Sequence, residues 1–106
     1  MIMRRKSRYI LVRSTRPLDI EVRDREYQFL KEVERFMGIG AYCASHPKIA
    51  NKAGSNMFIV KVNRGSECSF ALATSFIKRI ADMDIGFQTV KTSGSISQLK
   101  RLAAKS

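Results

Sequence analysis

Cys43, His46 and Cys68 are the side chains of this 106-residue sequence best suited to hold a soft metal or to form a nucleophile–base pair. Cys43 and His46 stand in a C-x2-H spacing, and Cys68 would add a third ligand. A structural zinc site takes four such ligands, so the set is one short. Cysteine-based catalysis needs thiol and imidazole in hydrogen-bond contact and a third group orienting the base. In an extended segment Cys43 and His46 have opposite parity and point to opposite faces; Cys68 with His46 remains open. The carboxylates Asp19, Glu21, Asp24, Glu26, Glu32 and Glu34 cluster on one early segment. There they read as the solvated face of a helix, with i, i+4 partners such as Glu21 and Arg25. We therefore expect no catalytic residue, no metal ligand and no cofactor bound by the chain, and both cysteines are expected to be reduced.

The charge balance points elsewhere. Twenty Lys and Arg face nine Asp and Glu, a formal net charge of +11. Charge of that size is self-repelling, and an anionic partner relieves it. Its distribution is directional. Arg4, Arg5, Lys6, Arg8, Arg13 and Arg16 precede the first acid, Asp19, and Lys91, Lys100, Arg101 and Lys105 follow the last one, Asp84. Two purely basic ends suit a phosphate backbone. No apolar run reaches the ~18 residues of a membrane span. No signal peptide is visible either, so a cytoplasmic location is expected, or a nuclear one in a eukaryote.

The elements that must position these cations follow from apolar periodicity. Residues 1–7 read as a basic arm, and 8–106 as one domain. Tyr9–Val12 is a β-favouring run continuing to Arg16 and stopped by Pro17. Phe29, Leu30, Val33, Phe36 and Met37 form the stripe of an amphipathic helix, ended by Gly38 and Gly40. Cys43–Asn51, with Pro47 inside it, reads as an edge strand. It is joined through Lys52–Ser55 to the strand Asn56–Asn63 in a hairpin. Phe70, Ala73, Phe76, Ile77 and Ile80 form a second helical stripe, with Ser66 as its cap. Ile85–Thr92 is a last strand, and Ser95-Ile96-Ser97-Gln98 has the form of a capping box opening a short helix with Ile96, Leu99 and Leu102 on one side.

The order β-α-β-β-α-β plus a helix predicts an α+β, ferredoxin-like (RRM-like) sandwich with a four-stranded antiparallel sheet. Its central strands should alternate apolar and polar if one face were open. Yet Tyr9–Val12 and Met57–Val62 are apolar on nearly every position, so the open face needs a cover. The terminal helix can supply part of it and a protein partner the rest. Phe58 faces inward with Val60 and Val62, which leaves that face without stacking aromatics. Phosphate contacts to a folded RNA are expected in place of base stacking. The carriers expected are Arg4, Arg5, Lys6, Arg8, Arg13, Lys61, Arg64, Lys91, Lys100 and Arg101.

Three stretches carry a family likeness. Met57-Phe58-Ile59-Val60-Lys61-Val62-Asn63-Arg64 leads into Ser69-Phe70-Ala71-Leu72-Ala73-Thr74-Ser75-Phe76-Ile77. Val90-Lys91-Thr92-Ser93-Gly94-Ser95-Ile96 runs on to a basic end. Arg4-Arg5-Lys6-Ser7-Arg8-Tyr9 opens the first strand, with Gly38-Ile39-Gly40-Ala41-Tyr42-Cys43-Ala44 further on. From Arg4 to about Arg101 the sequence resembles the RNase P protein component 2 family, the small RRM-like subunit of archaeal and eukaryotic ribonuclease P. The hairpin around Lys48–Ser55 and the segment Ser66–Ser69 match it less well. The resemblance implies a ribonucleoprotein that removes the 5′ leader from precursor tRNA, with the active site and its Mg2+ on the RNA. The protein would stabilise that RNA, meet precursor tRNA indirectly, and act with a TIM-barrel protein subunit, with self-association inside a hetero-oligomer. It also implies RNA contact by Arg4, Arg5, Lys6, Arg8, Lys91, Lys100 and Arg101, and subunit contact by Tyr9, Leu11, Met57, Ile59 and Leu99. The competing readings are another basic RNA-binding scaffold, such as a ribosomal protein of this fold, and a small-molecule regulatory or acyl-phosphate-cleaving domain. The last would bind without the salt dependence of a polyanion complex.

Overall fold

The computed structural model describes residues 7–18, 23–54, 56–80 and 83–105. Four strands form an antiparallel sheet in the order β2-β3-β1-β6: β1 (Ser7–Ser14), β2 (Lys48–Lys52), β3 (Met57–Asn63) and β6 (Phe87–Ser93). Three helices, α1 (Arg23–Met37), α2 (Ile39–Ser45) and α3 (Glu67–Phe76), belong to one side of it. A hairpin of β4 (Arg79–Ile80) and β5 (Met83–Asp84) precedes β6, and α4 (Ile96–Ala104) closes the described chain. The expected ferredoxin-like sandwich is thus observed, with the two most apolar strands, β1 and β3, in the middle.

Strand parity divides the apolar residues between two cores. Ile10, Val12, Phe58, Val60 and Val62 face α1 and α3 and meet Phe29, Val33, Phe70, Ile77, Ile80, Ile85 and Phe87. Phe29 is the hub: its ring stands 5.1 Å and 83° from Phe58 and 4.9 Å and 58° from Phe87. Each such pair contributes about 0.5–1.5 kcal/mol beyond its burial. Leu11, Met57 and Ile59 face the other way and pack under Leu99 and Ala103 of α4, with Ile96 and Leu102 at the margin. The second face of the sheet is therefore covered from within the chain.

That cover corrects the expected subunit contact. Leu11, Ile59 and Leu99 are fully buried and Met57 nearly so, so a partner cannot reach them while α4 is in place. Of that set, only Tyr9 is left partly exposed.

Other differences are local and have physical causes. Ser7, assigned to the arm, pairs with Asn63 as the first residue of β1. Residues 1–6 lie outside the described residues, as do Asp19 and Glu21. The expected edge strand over Cys43–Asn51 is half helix: α2 occupies its start and β2 begins only after Pro47, which has no N–H to give a ladder. Gly40 accordingly lies inside α2, while Gly38, at φ 87°, does end α1. Phe36 is not buried. It sits in the last turn of α1 and stacks on the exposed Phe76 of α3 at 6.0 Å and 29°. Ile77 and Ile80 are buried as expected, but from extended backbone after α3 has ended. The capping box is absent too: Ser95 makes no side-chain cap. Instead Ser93 Oγ accepts from Ser95 N–H at 3.1 Å and donates to Gln98 Oε1 at 2.9 Å.

Candidate nucleic-acid interface

None of β1, β2, β3, β6 and α4 contains an Asp or a Glu. These same elements carry Arg8, Arg13, Lys48, Lys52, Lys61, Lys91, Lys100 and Arg101. The acids of the described residues stand instead on α1, at the start of α3 and on β5. The described ion pairs are there as well: Lys31–Glu34 at 3.8 Å, Arg35–Glu32 at 3.5 Å and Arg79–Asp84 at 3.1 Å. Folding thus sorts the charges into a mixed helical side and an acid-free side made of the sheet and α4. A surface of one sign focuses potential and attracts polyanions.

Register fixes where the cations stand. Lys48 of β2 is directly opposite Lys61 of β3, Lys61 is opposite Tyr9 of β1, and Tyr9 is opposite Ser93 of β6. Directly paired residues share a face, so this row crosses the α4 face at one end of the sheet. Arg13, opposite Met57 and Gln88, stands at the other end, and Lys91 is opposite Leu11 on the edge strand. Lys100 and Arg101 are exposed on α4. Lys100 reaches across to β2, where the Asn51 carboxamide, with its oxygen turned toward α4, accepts from Nζ at 3.1 Å. Arg64 is exposed in the turn after β3. Arg8 faces away from α4, and its guanidinium lies against Gly94.

Of the ten cations expected to touch RNA, the structure brings Arg13, Lys61, Lys91, Lys100 and Arg101 around the α4 face. It sets Arg8 and Arg64 at the margin beyond it. Arg4, Arg5 and Lys6 lie outside the described residues. Sequence reasoning passed over Lys48 and weighed His46 only as a metal ligand or base, because their position depends on α2 and on a bulge in β2 between Ile49 and Asn51 that fixes the register with β3.

Cys43 and Cys68 are exposed free thiols on α2 and α3. Cys43 and His46 are not separated by strand parity, since both belong to the α2 turn. Among the described residues no group of three or more His, Cys, Asp or Glu could hold a metal ion. Burial pushes the Tyr42 phenol above its ordinary value, and the Glu34 carboxylate adds to the shift. No described helix is long and apolar enough to cross a membrane.

This arrangement can be set beside known proteins. The pattern of the Rpp14/Pop5 family matches residues 8–104, nearly the whole chain. The chain belongs to the Rpp14/Pop5 family. A relative named ribonuclease P protein component 2, from Methanoculleus marisnigri, is 33% identical over 101 residues, covering 93% of this chain. The chain spans 62% of that relative's length. Among solved structures, a chain of the yeast ribonuclease MRP complex determined by cryo-electron microscopy superposes with a TM-score of 0.63. The superposition covers 99% of this chain and 90% of that one at 12% identity, a likeness of fold. The Rpp14/Pop5 match begins at Arg8, on β1, and runs to the end of α4, so it takes in both cores and the acid-free side.

Proposed function

We propose that this chain is a protein subunit of ribonuclease P. In this reading it binds and stabilises the catalytic RNA for 5′-leader removal from precursor tRNA. The observation that supports it most directly is the absence of carboxylates from all four main strands and α4, set against the cations those elements carry. Affinity for structured RNA comes mostly from phosphate neutralisation, which needs a dense field of cations and no catalytic group. The chemistry belongs to the RNA and its Mg2+, and precursor tRNA is met through that RNA.

A protein partner, the TIM-barrel subunit, takes the opposite side. α3 is apolar nearly all round: Phe70, Ala73 and Thr74 are buried inside, while Cys68, Leu72 and Phe76 repeat every fourth residue outside. Leu72 is 61% exposed and Phe76 52%. A helix apolar on both faces calls for cover on both. No Lys or Arg stands on α3, and the bases of α1 beside it are balanced by its acids, so this surface offers RNA no positive field and suits another protein.

The test is reconstitution of precursor-tRNA cleavage from ribonuclease P RNA and its protein subunits, with and without this chain. Cleavage at low Mg2+ should depend on it, because it supplies countercharge that Mg2+ would otherwise provide. Equal rates in both reactions, or recovery of ribosomal RNA as the dominant bound species after stringent washing, would overturn the assignment.

A further inference from the structure

We propose that the groove between the start of β2 and the end of β3 holds one phosphate of the RNA backbone, bridged by Lys48 and Lys61, with His46 on its wall. This deepens the RNA-binding reading and rests on it. The groove has a volume of about 270 Å³ and is lined by Ser7, His46, Lys48, Lys61, Val62 and Asn63.

The strongest observation is a like-charge pair in direct register. Lys48 and Lys61 are cross-strand partners on one face. Like charges placed so are destabilising, and neither has a carboxylate partner among the described residues. Lysine on an edge strand can be explained as protection against strand pairing, and that accounts for Lys48. It does not account for Lys61, because β3 is an inner strand with both edges occupied. An anion between the two ammonium groups converts the repulsion into two attractions.

The wall beside the lysines is held in a fixed shape by its own hydrogen bonds. His46 has φ 46° and ψ 58° and, among the described residues, is the one non-glycine residue with positive φ. A side-chain-bearing residue in that region is strained, and the following Pro47 restricts it further. The conformation is held by the bond from His46 N–H to Tyr42 O at 2.9 Å. His46 thereby caps α2, a common use of this left-handed conformation, and the cap fixes where its side chain leaves the backbone. Asn63 Nδ2 donates to Ala44 O at 2.7 Å, which occupies a carbonyl at the end of α2 that would otherwise repel an anion. The acid nearest in sequence, Glu67, accepts from Gly65 N–H at 2.6 Å.

The experiment measures binding of the full chain to a ribonuclease P RNA transcript as a function of salt, for wild type, Lys48→Gln, Lys61→Gln, the double variant and His46→Asn, which keeps a residue tolerant of positive φ. Each single lysine variant should weaken binding with little change of the log–log salt slope, because the remaining ammonium still neutralises the phosphate. The double variant should lower the slope by one step of about 0.7–0.9, because the two lysines share one phosphate. His46→Asn should weaken binding with little change of slope. In low-salt buffer without phosphate, Lys61→Gln should melt at or above wild type, since it removes the repulsion; a clear fall would overturn that premise. A loss of two steps in the double variant would overturn bridging. Wild-type slopes in all variants would overturn the groove while leaving RNA binding intact. Absence of RNA binding by the wild-type chain would instead overturn the broader reading. A lysine-dependent rise in melting temperature with inorganic phosphate, together with unchanged RNA binding, would make this a site for the free ion and overturn the backbone assignment.

Discussion

The guanidinium of Arg8 rests on Gly94: a Cβ added to that glycine would fall 2.8 Å from Arg8 Nη1. The contact joins the start of the first strand to the loop between the last strand and α4, across 86 residues of sequence. It also gives the Ser93-Gly94-Ser95 segment a physical reason for its glycine. Backbone strain plays no part, since Gly94 is not among the positive-φ residues. What matters is room for a flexible cation.

Gly94→Ala should therefore act on Arg8 more than on the fold. The atom in the way is the far end of a mobile side chain, which can swing aside. The change in unfolding free energy should stay within about 1 kcal/mol. RNA affinity should fall toward that of Arg8→Ala, although no charge has been removed. Equilibrium melts and RNA titrations of the two variants, run in parallel, check this. Wild-type affinity in Gly94→Ala would mean that the guanidinium's seat on the loop is unimportant to binding.

Leu99 separates an internal role for the α4 face from a role in subunit contact. It is fully buried against the sheet, in the cluster with Leu11 and Ile59. Leu99→Ala should destabilise the isolated chain by about 2–5 kcal/mol, the range for a large buried aliphatic truncated to Ala. Urea unfolding of the chain alone measures it. If the midpoint were unmoved while assembly with a protein subunit weakened, α4 would have to leave the sheet in the complex.

How much of this was legible in the sequence depends on whether one period or two explained a residue. Met57–Val62 was clear, because its apolar residues on both parities allow only a strand covered on both faces, and α4 supplies the second cover. Ile77 and Ile80 were right as core and wrong as helix. Spacing by three fits a helical face, but Ile77 reaches the core from the extended cap of α3 and Ile80 from the β4–β5 hairpin. Phe36 fitted the stripe of α1, but it stacks on Phe76 of α3 at the surface while its neighbour Met37 packs on the core. The cations were legible as charge and not as a site. Lys48 meets Lys61 only once the β2 bulge has set the register, and an expected strand through Pro47 hid both α2 and the turn at His46.

Tyr42 supplies a pH dependence. Its phenol is held above its ordinary value of 10.0 by burial first and by Glu34 second. The folded chain therefore keeps the phenol proton at pH values where the unfolded chain has lost it. The stability this contributes is fully present below pH ~10 and is lost as pH rises through the folded value. Tyr42→Phe has no proton to lose, so its stability should fall less steeply above pH ~10, where lysines titrate alike in both proteins. Urea midpoints for the two proteins between pH 8 and about 11 test the sign. Parallel curves would show that the phenol titrates alike in both states.

Leu72 tests the division of labour between the two sides. It is exposed, one turn from Phe76, on the outer face of α3. Leu72→Asp removes little intrachain burial, so the isolated chain should keep its stability within about 0.5 kcal/mol, as surface substitutions usually do. The new carboxylate adds to a side already populated by Glu32, Glu34 and Glu67 and stands away from the acid-free surface, so RNA affinity should change little. In an interface core, however, an unpaired charge must be desolvated against apolar neighbours, and hot-spot losses there reach about 2–4 kcal/mol. Co-elution of this chain with the TIM-barrel subunit should therefore weaken on the order of 30-fold or more, given 1.4 kcal/mol per decade, while RNA titration curves overlay those of the wild type. Intact co-elution with lost RNA binding would reverse the assignment, placing protein contact on the sheet side and RNA on the helices.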